Sequence, residues 1–123
     1  MSTLPLPQRQ CKPCEGGVEP LPQSAAEQLL RDVKGWELVG LPASPAGGAQ
    51  AGGKAIRKVV TCKSFLDAVG LVQRIAPIAE AENHHPDLHL TNYKRLTIEL
   101  STHAIGGLSE NDFILAAKID QVL

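Results

Sequence analysis

Residues 64–103 read SFLDAVGLVQRIAPIAEAENHHPDLHLTNYKRLTIELSTH, and their periodicity changes once, at the His84-His85-Pro86 run. Before that run, Phe65, Ala68, Val69, Val72, Ile75, Ala76 and Ala79 recur at helical spacing. One apolar stripe of this kind predicts the main core helix, from Ser64 as its N-cap to Asn83, with Pro77 as a bend. After the run, Leu88 and Leu90 alternate with His89, Thr91 and Tyr93, and Leu96, Ile98 and Leu100 alternate with Thr97, Glu99, Ser101 and His103. A period of two predicts a pair of strands, Asp87–Tyr93 and Lys94–His103, each with one wet face. The break falls at His84-His85-Pro86 because a residue preceding proline is pushed out of the α region.

The pattern extends in both directions. Upstream, Ser24 as N-cap and Glu27 as its capping-box partner open a short amphipathic helix to Lys34, carrying Ala26, Leu29, Leu30 and Val33. Gly35 stops it, and Trp36–Val39 reads as a short strand. The uncharged Gly/Ala/Pro stretch 40–53 then predicts a hairpin loop leading to a β-branched strand, Lys54–Cys62. Downstream, Gly106-Gly107 makes a turn, and Ser109-x-x-Asp112 opens a final helix with Phe113, Ile114, Ala117 and Val122 on its apolar face. The predicted order is therefore α-β-β-α-β-β-α. Five prolines among residues 1–23 argue against helix there, so 1–23 is read as an N-terminal arm and 24–123 as the folded domain.

Composition excludes several functions. A chain of 123 residues suits one domain. Twelve basic against thirteen acidic side chains leave a net charge of -1, so no basic field exists to attract nucleic acid or an anionic membrane. No run approaches the roughly 20 apolar residues of a membrane span. Three cysteines and a first ten residues without an apolar signal core indicate a reducing, cytoplasmic setting, with a plastid or mitochondrion left open if a transit peptide had been removed. Neither a Gly-rich phosphate loop nor a Gly-x-Ser-x-Gly elbow is present.

The chemistry-bearing residues are concentrated. All four histidines lie between positions 84 and 103, with Glu80 one helical turn before His84. Imidazole, with an ordinary pKa of about 6.5, gives or takes protons near neutrality, and a neighbouring carboxylate can orient it. Two plainer readings stand beside this one: loop histidines next to a proline, or a zinc site recruiting His84 or His85, His89 and His103 with Glu80 or Asp112. No His-Glu-x-x-His occurs, and Pro86 separates His85 from His89. Cys11-Lys-Pro-Cys14 is half of a zinc or redox motif with no second half, while Cys62 reads as a small core or strand-end residue. Asp112 has a structural role first, as the acidic member of the capping box.

Glu80-Ala-Glu-Asn-His84-His85-Pro86-Asp87, then Tyr93, then Ser101-Thr-His103, then Gly106-Gly-Leu-Ser-Glu-Asn-Asp112 resembles the pterin-4a-carbinolamine dehydratase family, with the similarity running over about residues 24–122. The Cys-Lys-Pro-Cys segment and the Asp-Leu-His-Leu after Pro86 resemble plant, algal or protist members; the 40–53 loop looks longer than usual, and Leu88 stands where many members carry an aromatic. The resemblance implies an α+β fold with a four-stranded antiparallel sheet carrying its helices on one face, assembled as a homodimer or homotetramer. It implies dehydration of a 4a-hydroxytetrahydropterin to quinonoid dihydropterin, in recycling of the tetrahydropterin cofactor, with no metal and no organic cofactor. By position, His84 and His103 would be the acid/base pair and His85 would support binding or proton transfer. Glu80 and Asp112 would orient and shape the site, and Pro86 and Tyr93 would hold its geometry. The alternative is a non-catalytic dimerisation or assembly protein on the same fold.

Overall fold

Strand β4 (Arg95–Leu100) organises the sheet, because Leu96, Ile98 and Leu100 on one of its faces are fully buried while Arg95, Thr97 and Glu99 on the other are not. In this computed structural model, which describes residues 6–8, 21–40, 54–102 and 107–123, β4 is flanked by two antiparallel partners. On one side β3 (Asp87–Thr91) sets Leu88 against Ile98 and Leu90 against Leu96. On the other, β2 (Lys54–Thr61) sets Ile56 against Leu100 and Val60 against Leu96, and β1 (Glu37–Gly40) adds Leu38 beside Ile56. The order β1-β2-β4-β3 is antiparallel throughout, and each register puts apolar residues on the same face.

Three helices cover that face: α1 (Gln23–Leu30), α2 (Phe65–Glu82) and α3 (Glu110–Asp120). Their buried residues, including Ala26, Leu71, Ile75, Phe113, Leu115 and Ile119, form one cluster with the sheet's Ile56, Leu96, Ile98 and Leu100. Each of the Leu, Ile and Phe side chains among them contributes about 1.5–3 kcal/mol by leaving water. The α+β class and the element order α-β-β-α-β-β-α follow the expectation. Among the described residues, no helix is long and apolar enough to cross a membrane.

Local differences have physical causes. Helix α1 starts from Pro22 at the N-cap position, with Ser24 already inside it, and ends at Leu30 instead of Lys34. Asp32 and Val33 donate to the carbonyls of Leu29 and Leu30, tightening the chain so that Val33 and Trp36 turn into the core. Helix α2 is capped as expected, its Ser64 Oγ accepting from the Asp67 N–H at 3.1 Å. Its buried stripe, however, is Ala68, Leu71, Ile75 and Ala79; Phe65 is half exposed and Ala76 is exposed. The helix continues through Pro77, on an exposed side where solvent can serve the carbonyl that loses its donor. The 3₁₀ turn Leu6–Gln8 brings Leu6 into the core, so part of the predicted arm is packed. Cys62 borders the core as a free, half-buried thiol, whereas Cys11, Cys14 and the 41–53 loop lie outside the described residues.

Among the described side chains, one inward position of the sheet is charged. Lys58, on the same face as Ile56 and Val60, donates from Nζ to Asp120 Oδ1 at 2.9 Å and to the Lys34 carbonyl at 2.8 Å, and lies 5.9 Å from the Trp36 ring centre. Trp36 Nε1 donates to the same Asp120 oxygen at 3.0 Å. Gly35 makes this closure feasible: its φ is +81°, and a Cβ there would sit 3.1 Å from Lys58 Cε. Gly35→Ala should therefore lose about 1–2 kcal/mol through left-handed strain and displacement of Lys58. Urea unfolding checks this as a lower midpoint at unchanged slope; an unchanged midpoint would contradict it.

Candidate active site

The end of α2 aims the first histidine. Asn83 adopts a left-handed conformation (φ +50°, ψ +39°), its N–H donates to the Glu80 carbonyl, and the His84 N–H donates to the Ala79 carbonyl, both at 3.2 Å. This is a Schellman-type stop, and asparagine tolerates it better than most residues with a Cβ. The reversal carries His84 off the helix axis toward the start of α3, and Pro86 then leads directly into β3.

At α3, His84 meets a fully buried carboxylate. His84 Nε2 lies 2.6 Å from Asp112 Oδ1, with the histidine side chain 12% exposed and that of the aspartate 0%. The other oxygen, Asp112 Oδ2, accepts from the Thr102 hydroxyl at 2.8 Å and from the Ser109 N–H at 3.0 Å. Ser109 Oγ is 2.8 Å from Thr102 Oγ1. Because Thr102 gives its hydrogen to Asp112, Ser109 must donate to Thr102, and a carboxylate acceptor requires the proton on His84 Nε2. Asp112 stands at the third position of α3, where its reach back to Ser109 forms half of a capping box and the helix dipole favours its charge. The capping role and the contact with His84 thus belong to one side chain.

His85 differs from its neighbour. Its Nε2 lies 2.7 Å from Glu80 Oε1, but the two side chains are 54% and 77% exposed. Glu80, expected near His84, pairs with His85 because the Asn83 turn sends the adjacent rings in different directions. Close by, Lys118 of α3 pairs with Glu82 in the last turn of α2.

The remaining candidates separate clearly. Tyr93 lies with Asn92 at the tip of the β3–β4 hairpin, both with positive φ, and is exposed beside Lys94. Strand β3 separates that tip from Pro86 by about 20 Å at the usual strand rise. His89 points to the open face of the sheet, 4.0 Å from Glu99 and on the same face as Asp87 and Thr91, so it does not join His84. Among the described residues no group of three or more His, Cys, Asp or Glu converges as a metal set. His103 and Gly106 lie outside the described residues. Thr102 immediately precedes His103; its backbone pairs with Gly107, and its hydroxyl belongs to the Asp112 network. Sequence reasoning passed over Thr102 as a site residue, although a hydroxyl next to the strand-end histidine was its visible signal.

Comparison with known proteins gives concordant results. Residues 19–122 match the family described as pterin 4 alpha carbinolamine dehydratase. A Nitrosospira multiformis protein, provisionally named a pterin-4-alpha-carbinolamine dehydratase, is 44% identical over 115 residues, covering 94% of this chain and 89% of that one. Pterin-4-alpha-carbinolamine dehydratase 2, mitochondrial, of Arabidopsis thaliana is 39% identical over 122 residues, covering 98% of this chain and 60% of that one. The crystal structure of a transcriptional coactivator/pterin dehydratase from Brucella melitensis is similar at a TM-score of 0.68 and 27% identity, covering 85% of this chain and 98% of that one. Bacterial and plant relatives are thus of comparable similarity.

The left-handed residue before His84 provides a local test. Asn83→Val should cost about 1–2 kcal/mol, since a β-branched residue is poorly suited to that conformation, whereas Asn83→Gly should hold or raise stability. Thermal unfolding of the two variants checks this; equal melting temperatures would argue against the turn.

Proposed function

The chain belongs to the pterin-4a-carbinolamine dehydratase family, and on that premise we propose that it dehydrates a 4a-hydroxytetrahydropterin, with His84 and His103 as the acid/base pair. The observation that carries this reading is the His84–Asp112 pair, a mostly buried imidazole held at 2.6 Å by a fully buried carboxylate at a helix start. The reaction breaks the C4a–O bond, and the hydroxyl leaves as water after receiving a proton from an acid. The N5 proton passes to a base, and the electrons of the N–H bond become the C4a=N5 double bond of quinonoid dihydropterin. Atoms and charge balance with two proton transfers, which is work for positioned imidazoles and requires neither a metal nor an organic cofactor.

His85, more exposed and paired with Glu80, supports binding or proton transfer at the edge of the site. Pro86 holds the chain after the histidines, and Tyr93 has a structural role in its hairpin turn. The product is the oxidised-level pterin that must be reduced to restore a tetrahydropterin, so the function is cofactor recycling. The working assembly is a homodimer or homotetramer in an intracellular compartment, cytoplasmic or organellar, the mitochondrial name of the Arabidopsis relative supporting the latter. A second reading, an assembly role on the same fold, is favoured by the coactivator part of the Brucella protein's title.

Wild-type protein should accelerate dehydration of chemically generated 4a-hydroxytetrahydropterin in metal-free buffer. Folded His84→Ala and His103→Ala should each lose roughly 10²–10⁴-fold of that acceleration. Absence of acceleration by folded wild type would remove the dehydratase reading and leave the assembly role.

A further inference from the structure

We infer that Thr102 and Ser109 are positioning residues: their hydroxyls form a one-way hydrogen-bond relay that locks Asp112 and makes Nδ1 the working nitrogen of His84. The inference rests on the dehydratase reading for its kinetic consequence and on geometry alone for its structural one. The direction of the relay follows from what each group can do. Asp112 accepts at both oxygens, so the Thr102 hydrogen points to Oδ2, which leaves Thr102 Oγ1 to accept from the Ser109 hydroxyl. The Ser109 N–H supplies the second donor to Oδ2. With Oδ2 held twice, the carboxylate plane is fixed and Oδ1 is presented to His84 Nε2 at 2.6 Å. A neutral His84 ring so held has its proton on Nε2, and whichever way a proton moves to or from a pterin, it moves through Nδ1.

Thr102 has a second connection that makes it more than a buried hydroxyl. Its N–H donates to the Gly107 carbonyl at 2.8 Å, and His103 is the next residue in the sequence. One residue is thus hydrogen-bonded to the support of His84 and covalently attached to His103. The charged groups facing this corner are Asp112 from α3, and Glu80, Glu82 and His85 from α2 and the chain following it, with Glu82 taken by Lys118.

The test combines ¹⁵N NMR of the histidine rings with dehydration kinetics on the full chain, using Thr102→Val, which removes the hydroxyl at nearly constant volume, and Thr102→Ser, which keeps it. The His84 ring signals are assigned by their loss in His84→Gln. At a pH where the ring is neutral, wild-type His84 should carry its proton on Nε2. Thr102→Val should lose that preference and about 10-fold or more in kcat with less than 2-fold change in KM, and Thr102→Ser should recover both. A wild-type His84 protonated on Nδ1 would overturn the inference, as would a Thr102→Val protein with wild-type tautomer and rate. Should Thr102→Val fail to fold, the wild-type tautomer and the Thr102→Ser protein still decide. A wild type with the Nε2–H tautomer but no dehydratase activity would instead overturn the proposed function and leave the relay standing.

Discussion

A buried carboxylate constrains everything around it, because moving such a charge out of water costs several kcal/mol unless hydrogen bonds replace the lost solvation. Asp112 meets that demand with donors from three separate segments: the Ser109 N–H at the start of α3, the Thr102 hydroxyl beyond β4, and His84 beyond α2. Satisfying one side chain therefore fixes the relative positions of two helices and the end of the central inner strand. No buried side-chain polar atom among the described residues is left unpartnered, so this charged corner is fully compensated. Support of this kind holds the His84 ring in one orientation, the preorganisation that transfer between positioned groups requires.

The same helix is fixed at its far end by a second acid. Asp120 accepts from Trp36 and Lys58, and Lys58 sits on β2, which pairs with β4, which leads to Thr102. The connections close a circuit: Asp112 to Thr102, along β4, across to β2, through Lys58 to Asp120, and back along α3. An eleven-residue helix spans about 16 Å, so polar contacts at both ends resist rotation and sliding far better than an apolar face alone, which is non-directional. The contrast with the exposed Arg57–Glu37 pair is instructive. That pair, at 3.0 Å, has good geometry, but solvent exposure leaves such contacts worth about 0–1 kcal/mol and unable to set a register.

The fold was legible where periodicity has one interpretation. Leu88, Leu90, Leu96, Ile98 and Leu100 alternate strictly, and the sheet uses that alternation with the hydrophobic face inward. Element ends were less legible, since Ser24 and Lys34 carried reasonable start and stop signals that tertiary packing of Val33 and Trp36 overrode. On α2 the apolar residues outnumber what one face can bury, so choosing Leu71 over Phe65 depended on neighbours no local pattern reveals. The site could be anticipated at His84 from residue type and at Asp112 from the family resemblance, its spacing from Ser109 having pointed first to a capping role. It was illegible in the partner choice of Glu80, which turns on the left-handed Asn83, and in Thr102, whose hydroxyl matters only because a segment ten residues later folds back onto it.

Adjacent histidines of identical chemistry thereby acquire different mechanical properties. His84 is held by an acceptor that is itself held twice more, all of it out of water, so its ring orientation is coupled to the stability of the domain. Among the described residues His85 is held by one exposed glutamate of α2, a contact that breaks at little cost. A rigid imidazole suits proton transfer, where displacement of about 1 Å is enough to cost two orders of magnitude in rate. Asn83 divides their surroundings: by entering the left-handed region it sends one ring into the buried network and leaves the next at the surface.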